Sequence, residues 1–314
     1  MKQRTLGRSG LQVSLVGLGC NNFSARIDLD ATRKVVHKAL DCGVTLFDTA
    51  DSYGNRGGSE TFLGKILGER RKDVVLATKF SSQMDDDGAL KGASRRYIFS
   101  AVEASLRRLR TDWIDLYQLH WPDPATPMEE TLRALDDLAH QGKVRYIGCS
   151  NLAAWQVADA HWISRSLGLY PFISCQNEYS LLMRGVEREL IPAMKEYDLG
   201  LLPYFPLASG LLTGKYKRNK PAPKDTRMSA WPQLGDRYLN ETNWEIVERL
   251  EEFCGKRKHT LLELAFSWLA ANPVTASVIA GATKPVQVEQ NARAADWALS
   301  AEDLAEVDRL TEKA

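Results

Sequence analysis

The sequence predicts an α/β chain folded as a (β/α)8 TIM barrel, with an N-terminal β-hairpin and extra helices near the C-terminus. Three observations carry that prediction. Eight short β-rich runs recur along the 314 residues, and segments of helical period separate them. The runs are mostly continuous in apolar character, as parallel strands covered on both faces must be. Eight such units without a linker favour a closed barrel over a doubly wound sheet. The doubly wound alternative also lacks its glycine-rich fingerprint, because Gly17-Leu18-Gly19-Cys20 does not continue as G-x-G-x-x-G. One barrel domain then spans residues 1–314.

The first element is RTLGRSGLQVS (Arg4–Ser14), which reads as a hairpin turning at Ser9-Gly10 and placed to close the bottom of the barrel. Barrel strands are expected at Leu15–Gly17, Val44–Phe47, Val74–Thr78, Ile114–Leu119, Val144–Cys149, Phe172–Gln176, Gly200–Tyr204 and Thr275–Ile279. Helical period runs through Ala31–Asp41, Ile98–Leu109, Glu129–His140 and Trp155–Ser166, with glycine stops at Cys42-Gly43 and Gln141-Gly142. After the seventh strand, Phe205 to about Glu241 is too long and too rich in Pro and Gly for an ordinary connection. It reads as a functional loop or lid, with Trp231 available to cover a pocket. Asn243–Lys258 and Leu261–Asn272 are successive helices before the eighth strand, so one is extra to the repeat. Ala301–Lys313 adds an amphipathic helix after the eighth unit.

Composition excludes several functions. Hydrophobic content of 44% and charged content of 26% belong to a soluble globular protein. With 41 basic and 40 acidic residues, the net charge of +1 gives no electrostatic footprint for nucleic acid or a membrane surface. No run of 18 apolar residues occurs, and the start MKQRTLGRSG has no apolar leader core, so a cytoplasmic location is expected. Five cysteines without a C-x-x-C pair fit a reducing compartment, and no metal site is expected. Cys149 and Cys175, in strand-like runs, read as small core residues.

In such a barrel, chemistry sits at the carboxyl ends of the strands. The second strand ends in Asp48, the third in Lys79 and the fourth in His120, while Tyr53 follows Asp48 in a turn containing Gly and Ser. The fifth ends in Ser150-Asn151, the sixth in Gln176-Asn177-Glu178 and the seventh in Tyr204. Each alone has an ordinary explanation: an aspartate caps a helix, a lysine snorkels, a lone histidine is a satisfied core residue. Four titratable groups converging on one barrel mouth point to chemistry instead. A phenol with a pKa of about 10 is a poor acid near neutrality, and a nearby ammonium is expected to lower that value. A carboxylate keeps the ammonium charged and in place. A histidine donates a hydrogen bond to a carbonyl oxygen and orients it. Together these make a proton donor aimed at an oxygen becoming an alkoxide, as hydride reduction of a carbonyl requires. The hydride must come from a cofactor, because no side chain supplies one.

In order and local context, Asp48, Tyr53, Lys79 and His120 resemble the catalytic tetrad of the aldo-keto reductases. The resemblance extends over nearly the whole chain, through GLG, FDTADSYG, LATKF, LYQLHWPD, GKVRYIGCSN, QNEYSLL, PLASGLLTGKY and GATKPVQVEQNA. It is closer to the bacterial and potassium-channel β-subunit-like branch than to the sugar reductases. It implies Tyr53 as general acid/base, Lys79 and Asp48 as its tuning pair, and His120 as the residue that orients the carbonyl. It implies NADPH/NADP+ as cofactor, with NADH as the alternative, and a small-molecule carbonyl as substrate. Ser150, Asn151 and Gln176 would hold the nicotinamide carboxamide and Tyr204 would stack on its ring. Cys20, Asn21 and Asp48 join that set. Phe205, Pro206, Leu207, Ala208, Ser209, Lys215 and Arg227 would wrap the pyrophosphate, and Gly281, Thr283, Lys284, Gln287, Gln290 and Asn291 would meet the adenosine end. Substrate walls would come from Asn21, Phe23, Tyr53, His120, Trp121 and Trp231.

Around Gly281, free amides and a helix dipole are expected to favour phosphate, and Lys284 adds a full charge for a 2′-phosphate. Two residues depart from the family pattern. Phe205 stands where relatives have a small hydroxyl residue, and Gly281 replaces a lysine of the sugar-reductase branch, so preference for NADPH rests mainly on Thr283 and Lys284. The resemblance leaves two rivals: a cofactor-sensing regulatory subunit with slow turnover, and an NAD-dependent dehydrogenase working in the oxidative direction. His120 favours an enzyme, since the channel β subunits carry Asn at that place.

Overall fold

The computed structural model describes residues 1–224 and 226–312. Its chain opens with an antiparallel hairpin of β1 (Gln3–Thr5) and β2 (Gln12–Ser14). Ser9 shapes the turn, donating its hydroxyl to Leu6 O and accepting from Leu11 N. Gly7 is required there: its φ is +54°, and a Cβ would lie 2.2 Å from Ile173 O. That close approach seats the hairpin against the barrel, where Leu6 and Val13 are buried with Leu46, Ala77, Leu116, Ile173 and Leu202 in the interior.

Among the described residues, eight parallel strands then form one sheet. They are β3 (Val16–Gly19), β4 (Leu46–Asp48), β5 (Val75–Phe80), β6 (Ile114–Leu119), β7 (Val144–Ser150), β8 (Phe172–Gln176), β9 (Gly200–Leu201) and β10 (Val278–Gly281). They follow sequence order around the ring, and β10 returns beside β3. Between β9 and β10 the barrel is joined by Leu201 N to Val274 O, Ala276 N to Leu201 O and Ile279 N to Pro203 O. The seventh barrel strand is shorter than the expected Gly200–Tyr204 because Pro203 has no N–H to give the ladder. The eighth starts later than expected, at Val278, with Thr275 making only an isolated bridge to Leu201.

The helices are α1 (Leu29–Asp41), α2 (Tyr53–Leu67), α3 (Arg95–Leu109), α4 (Met128–His140), α5 (Ala154–Leu167), α6 (Leu190–Glu196), α7 (Arg227–Ala230), α8 (Pro232–Tyr238), α9 (Glu241–Arg257), α10 (Leu261–Ala271), α11 (Pro285–Arg293) and α12 (Ala301–Thr311). Several begin where a side chain takes an orphan amide: Asp28 for Ala31 N, Ser94 for Tyr97 N, Asn240 for Asn243 N and Ser300 for Asp303 N. The final helix was expected to reach Lys313, which lies outside the described residues; α12 ends at Thr311. The expected lid is partly helical, as α7 and α8. A second hydrophobic layer between strands and helices holds most of the core, Cys149 and Cys175 included. All five cysteines are free. Among the described residues no helix is long and apolar enough to cross a membrane.

Candidate active site

Strand pleat decides what faces the barrel mouth. On β5 the alternation turns Ala77 and Lys79 inward, and on β4 it turns Leu46 and Asp48 inward. Lys79 is fully buried, and its Nζ donates to both Asp48 oxygens, at 2.8 and 2.7 Å, and to Thr49 O at 2.9 Å. The same ammonium lies 3.5 Å from the Tyr53 hydroxyl. Asp48 also accepts from Gln176 Nε2 at 2.8 Å and from Gln118 Nε2 at 3.3 Å. Burial alone would pull the Lys79 ammonium below its usual range, but Asp48 and Tyr53 together more than offset this, and the net displacement is upward. Lys79 is therefore charged at neutral pH.

Tyr53 behaves differently from the sequence expectation. Burial raises its phenol above the ordinary value, and Lys79 only opposes that rise. The lysine limits the rise without reversing it, so the free protein carries a protonated phenol. Tyr53 stands in a turn, as expected. It opens α2, whose next four residues, Gly54, Asn55, Arg56 and Gly57, all have φ between +58° and +110°. A Cβ at Gly54 would meet Phe23 O at 2.5 Å, so this left-handed turn is wedged against the chain after β3.

His120 follows β6 and is nearly buried, its ring edge-on to Tyr53 at 5.7 Å and stacked on Trp121 at 5.5 Å. Burial, then the Lys79 charge, hold its pKa well below the ordinary histidine value, so the imidazole is neutral. Ser82 Oγ lies 3.2 Å from Nδ1. A serine donating to Nδ1 leaves the hydrogen on Nε2, the tautomer that can donate to a carbonyl. Sequence reasoning missed Ser82, because a serine in a loop after β5 carries no motif. Gln118 was missed too, although its inward place two residues before His120 follows from the alternation.

Asp48, Tyr53 and His120 line one cleft of about 1710 Å³ together with Cys20, Asn21, Trp121, Ser150, Asn151, Gln176, Tyr204, Phe205, Pro206, Leu207, Ser209, Lys215, Arg227, Gly281, Thr283, Lys284, Gln287, Gln290 and Asn291. Lys79 is buried beneath its floor. Ser150, Asn151, Gln176 and Tyr204 are bonded to one another: Ser150 Oγ donates to Gln176 O, Asn151 Nδ2 to Ser150 Oγ, and Tyr204 Oη to Asn151 Oδ1. Farther out, Lys215 and Arg227 face the cleft, and burial followed by the Arg26 charge lowers both, Arg227 to about 10. Among the described residues neither has a carboxylate partner. Backbone with positive φ at Phe205, Ala208, Ser209 and Gly210 folds around them, and Ser209 Oγ is buried without a partner among the described residues. Two unneutralised cations, a concave run of backbone and an orphaned hydroxyl fit a dianionic diphosphate.

Four expectations are corrected. Phe23 is fully buried in the shell core and lies off the cleft; the tight turn from Cys20 O to Phe23 N aims its ring inward. Trp231 does not line the cleft; its ring is engaged by the guanidinium groups of Arg26 and Arg227, 5.5 and 5.4 Å from its centre. Ala208 is fully buried behind the loop. The amides at the start of α11 are not free, since Gln287 Oε1 accepts from both Thr283 N and Lys284 N. A phosphate there would have to displace Gln287 or take its contacts from side chains. The lid is held to the barrel by Arg237 and Tyr238 of α8, which both bond Glu178 after β8, and by Arg227 Nη2 donating to Asn21 Oδ1 at 2.9 Å.

Comparison with known proteins adds an independent line. Residues 15–312 match the model of the "Aldo/keto reductase family". A probable voltage-gated potassium channel subunit beta of Oryza sativa subsp. japonica is 38% identical over 304 residues, covering 94% of this chain and 92% of that protein. An uncharacterized oxidoreductase, YrpG, of Bacillus subtilis is 35% identical over 314 residues, covering 97% and 94%. The L-glyceraldehyde 3-phosphate reductase of Escherichia coli (strain K12) is 32% identical over 321 residues, covering 98% and 92%.

Proposed function

The chain belongs to the aldo/keto reductase family, and on that premise we propose that it is a cytoplasmic NADPH-dependent oxidoreductase, built as one barrel domain, that reduces a small aldehyde or ketone to an alcohol with Tyr53 as the general acid. One observation carries the reading: a buried, charged Lys79 bridges Asp48 and the Tyr53 hydroxyl beside a neutral His120, at the floor of a cleft that fits a dinucleotide. Bound NADPH would supply the hydride. Ser150, Asn151, Gln176 and Tyr204 would hold its nicotinamide, and Lys215, Arg227 and the 205–210 backbone its diphosphate. His120, as the Nε2–H tautomer, donates to the substrate carbonyl oxygen and fixes its direction. Tyr53 then passes its proton to that oxygen, and Lys79, held by Asp48, stabilises the phenolate left behind. A protonated resting phenol suits reduction. The oxidative direction would need the phenolate, which burial disfavours here.

The relatives keep a second reading alive, since one is named a channel subunit and another a reductase. The deciding test is NADPH oxidation followed by absorbance against a panel of aldehydes and ketones. Turnover on at least one carbonyl is expected; tight NADPH binding with no turnover on any would transfer the proposal to a cofactor-sensing subunit.

Cofactor preference has its own test. Thr283 and the exposed Lys284 border the far end of the cleft, where a 2′-phosphate would lie. A charge-assisted hydrogen bond contributes about 1.5–3 kcal/mol, and an exposed pair less, so Lys284→Ala should weaken NADPH binding by about tenfold. NADH binding should barely change. Titration of wild type with both cofactors checks the premise, and equal affinities would sink it.

A further inference from the structure

Asp51 lies between Asp48 and Tyr53 but faces away from the cleft, into the layer between the strands and the helices α2 and α3. It is 1% exposed, and among the described residues neither carboxylate oxygen has a hydrogen-bond partner. The Ser52 amide is near the carboxylate without being aligned to bond it. The ionisable groups around it are Glu60 of α2, Tyr97 and Arg108 of α3, Tyr117 of β6 and Lys79 of β5. The Arg108 guanidinium is already committed, with Nε donating to Glu60 Oε2 at 2.6 Å, and the Thr78 hydroxyl donates to Glu60 Oε1 at 2.6 Å. Tyr117 Oη is also buried without a partner among the described residues. Glu60 therefore holds both the counter-charge and the donor, and Asp51 is left with an acidic neighbour and no ion pair.

The backbone ties this carboxyl to the catalytic groups. Asp51 N donates to Lys79 O at 3.1 Å, and Tyr53 N donates to Ala50 O at 3.2 Å, closing the turn on which Tyr53 stands. We propose that Asp51 is a positioning residue for Tyr53 that works only as the neutral carboxylic acid: protonated, it lets residues 50–57 seat against α3 and the remainder of α2; ionised, it repels Glu60, competes with Asp48 for the Lys79 charge and loosens the turn. The inference rests on the reading of Tyr53 as proton donor. Burial, then Glu60, push the carboxyl up to about 8, while Arg108, the Ser52 amide and Lys79 pull the other way. A weakened hold of Lys79 on the developing phenolate makes Tyr53 a poorer acid, so reduction slows as Asp51 ionises.

The sign for stability follows from linkage. An unfolded aspartate ionises near about 3.9, so between about pH 4 and pH 8 only the unfolded state releases this proton. Through this group the folded protein loses stability across that interval, and above it the penalty is constant. Asp51→Asn removes the penalty. Its melting temperature relative to wild type should climb between pH 5 and pH 8 and level off above. In steady-state reduction with saturating NADPH, wild type should show an alkaline fall of several-fold with an apparent pKa near 8, and Asp51→Asn should lack it. Glu60→Gln is the second variant: loss of the repelling carboxylate should move the alkaline fall to lower pH, which a merely structural role would not do. Melting differences that run parallel across pH, or an alkaline limb unchanged in both variants, would overturn the proposal. A wild type without turnover would overturn the role of Tyr53, and the melting comparison would still decide whether Asp51 folds as the neutral acid.

Discussion

Tyr53→Phe is expected to slow carbonyl reduction by at least about 10²–10⁴-fold, the usual contribution of a positioned general acid, with NADPH affinity unchanged within a few-fold. The substitution removes one oxygen and keeps the ring, so the edge contact with His120 at 5.7 Å survives. Lys79 loses only its longest contact, the 3.5 Å approach to the phenol, and retains Asp48 and Thr49 O. The left-handed turn after residue 53 is set by Gly54 and Gly57 and does not depend on the hydroxyl. A loss of turnover can then be assigned to the missing proton. Two measurements form the test: single-turnover oxidation of bound NADPH against a reactive aldehyde such as 4-nitrobenzaldehyde, and cofactor titration by intrinsic fluorescence. Equal hydride transfer in wild type and variant, with tight binding in both, would favour the regulatory-subunit reading.

The strands were legible because their apolar runs are continuous and their ends carry polar residues. Hence Asp48, Lys79 and His120 could be placed from strand ends and strand count. Pro203 shows the limit on boundaries: backbone bonds to the neighbouring strands continue through Tyr204, but the donor missing at Pro203 interrupts the pairing, and the regular strand ends at Leu201. Phe23 shows the limit on walls, since a residue after a strand can face the cleft or the core, and only the turn from Cys20 decides. The amides near Thr283 looked free because a side chain folding back from Gln287 leaves no mark in a linear reading. Ser82 and Asp51 were silent for a related reason: their importance comes from what they face, not from what surrounds them in sequence. Tyr53 is the instructive case in energetics. Residue types set the sign of the lysine's effect on the phenol, whereas burial, a three-dimensional quantity, set the larger opposing effect.

Lys79→Met should abolish most reduction, by several orders of magnitude, and this outcome separates fold from chemistry only if stability is followed as well. The methionine keeps an unbranched apolar stem, but it leaves Asp48 buried without its cation. Breaking a buried pair from one side costs about 3–5 kcal/mol. Here the loss falls toward the low end, because Gln176 and Gln118 still donate to Asp48 Oδ1 at 2.8 and 3.3 Å. For Tyr53 there is no such relief. Burial would raise its pKa against only the weaker pull of the Arg227 charge, each unit adding about 1.4 kcal/mol to the cost of forming phenolate. Asp48→Asn alone should be milder in activity, since the ammonium remains but is less well held. The double variant Asp48→Asn, Lys79→Met removes both charges, so it should recover most of the lost melting temperature and none of the lost turnover. Circular dichroism reports the fold, thermal melts the stability, and single-turnover reduction the chemistry. If Lys79→Met kept near-normal turnover with an intact spectrum, Lys79 would be a structural cation, and the account of how Tyr53 works as an acid would fall with it.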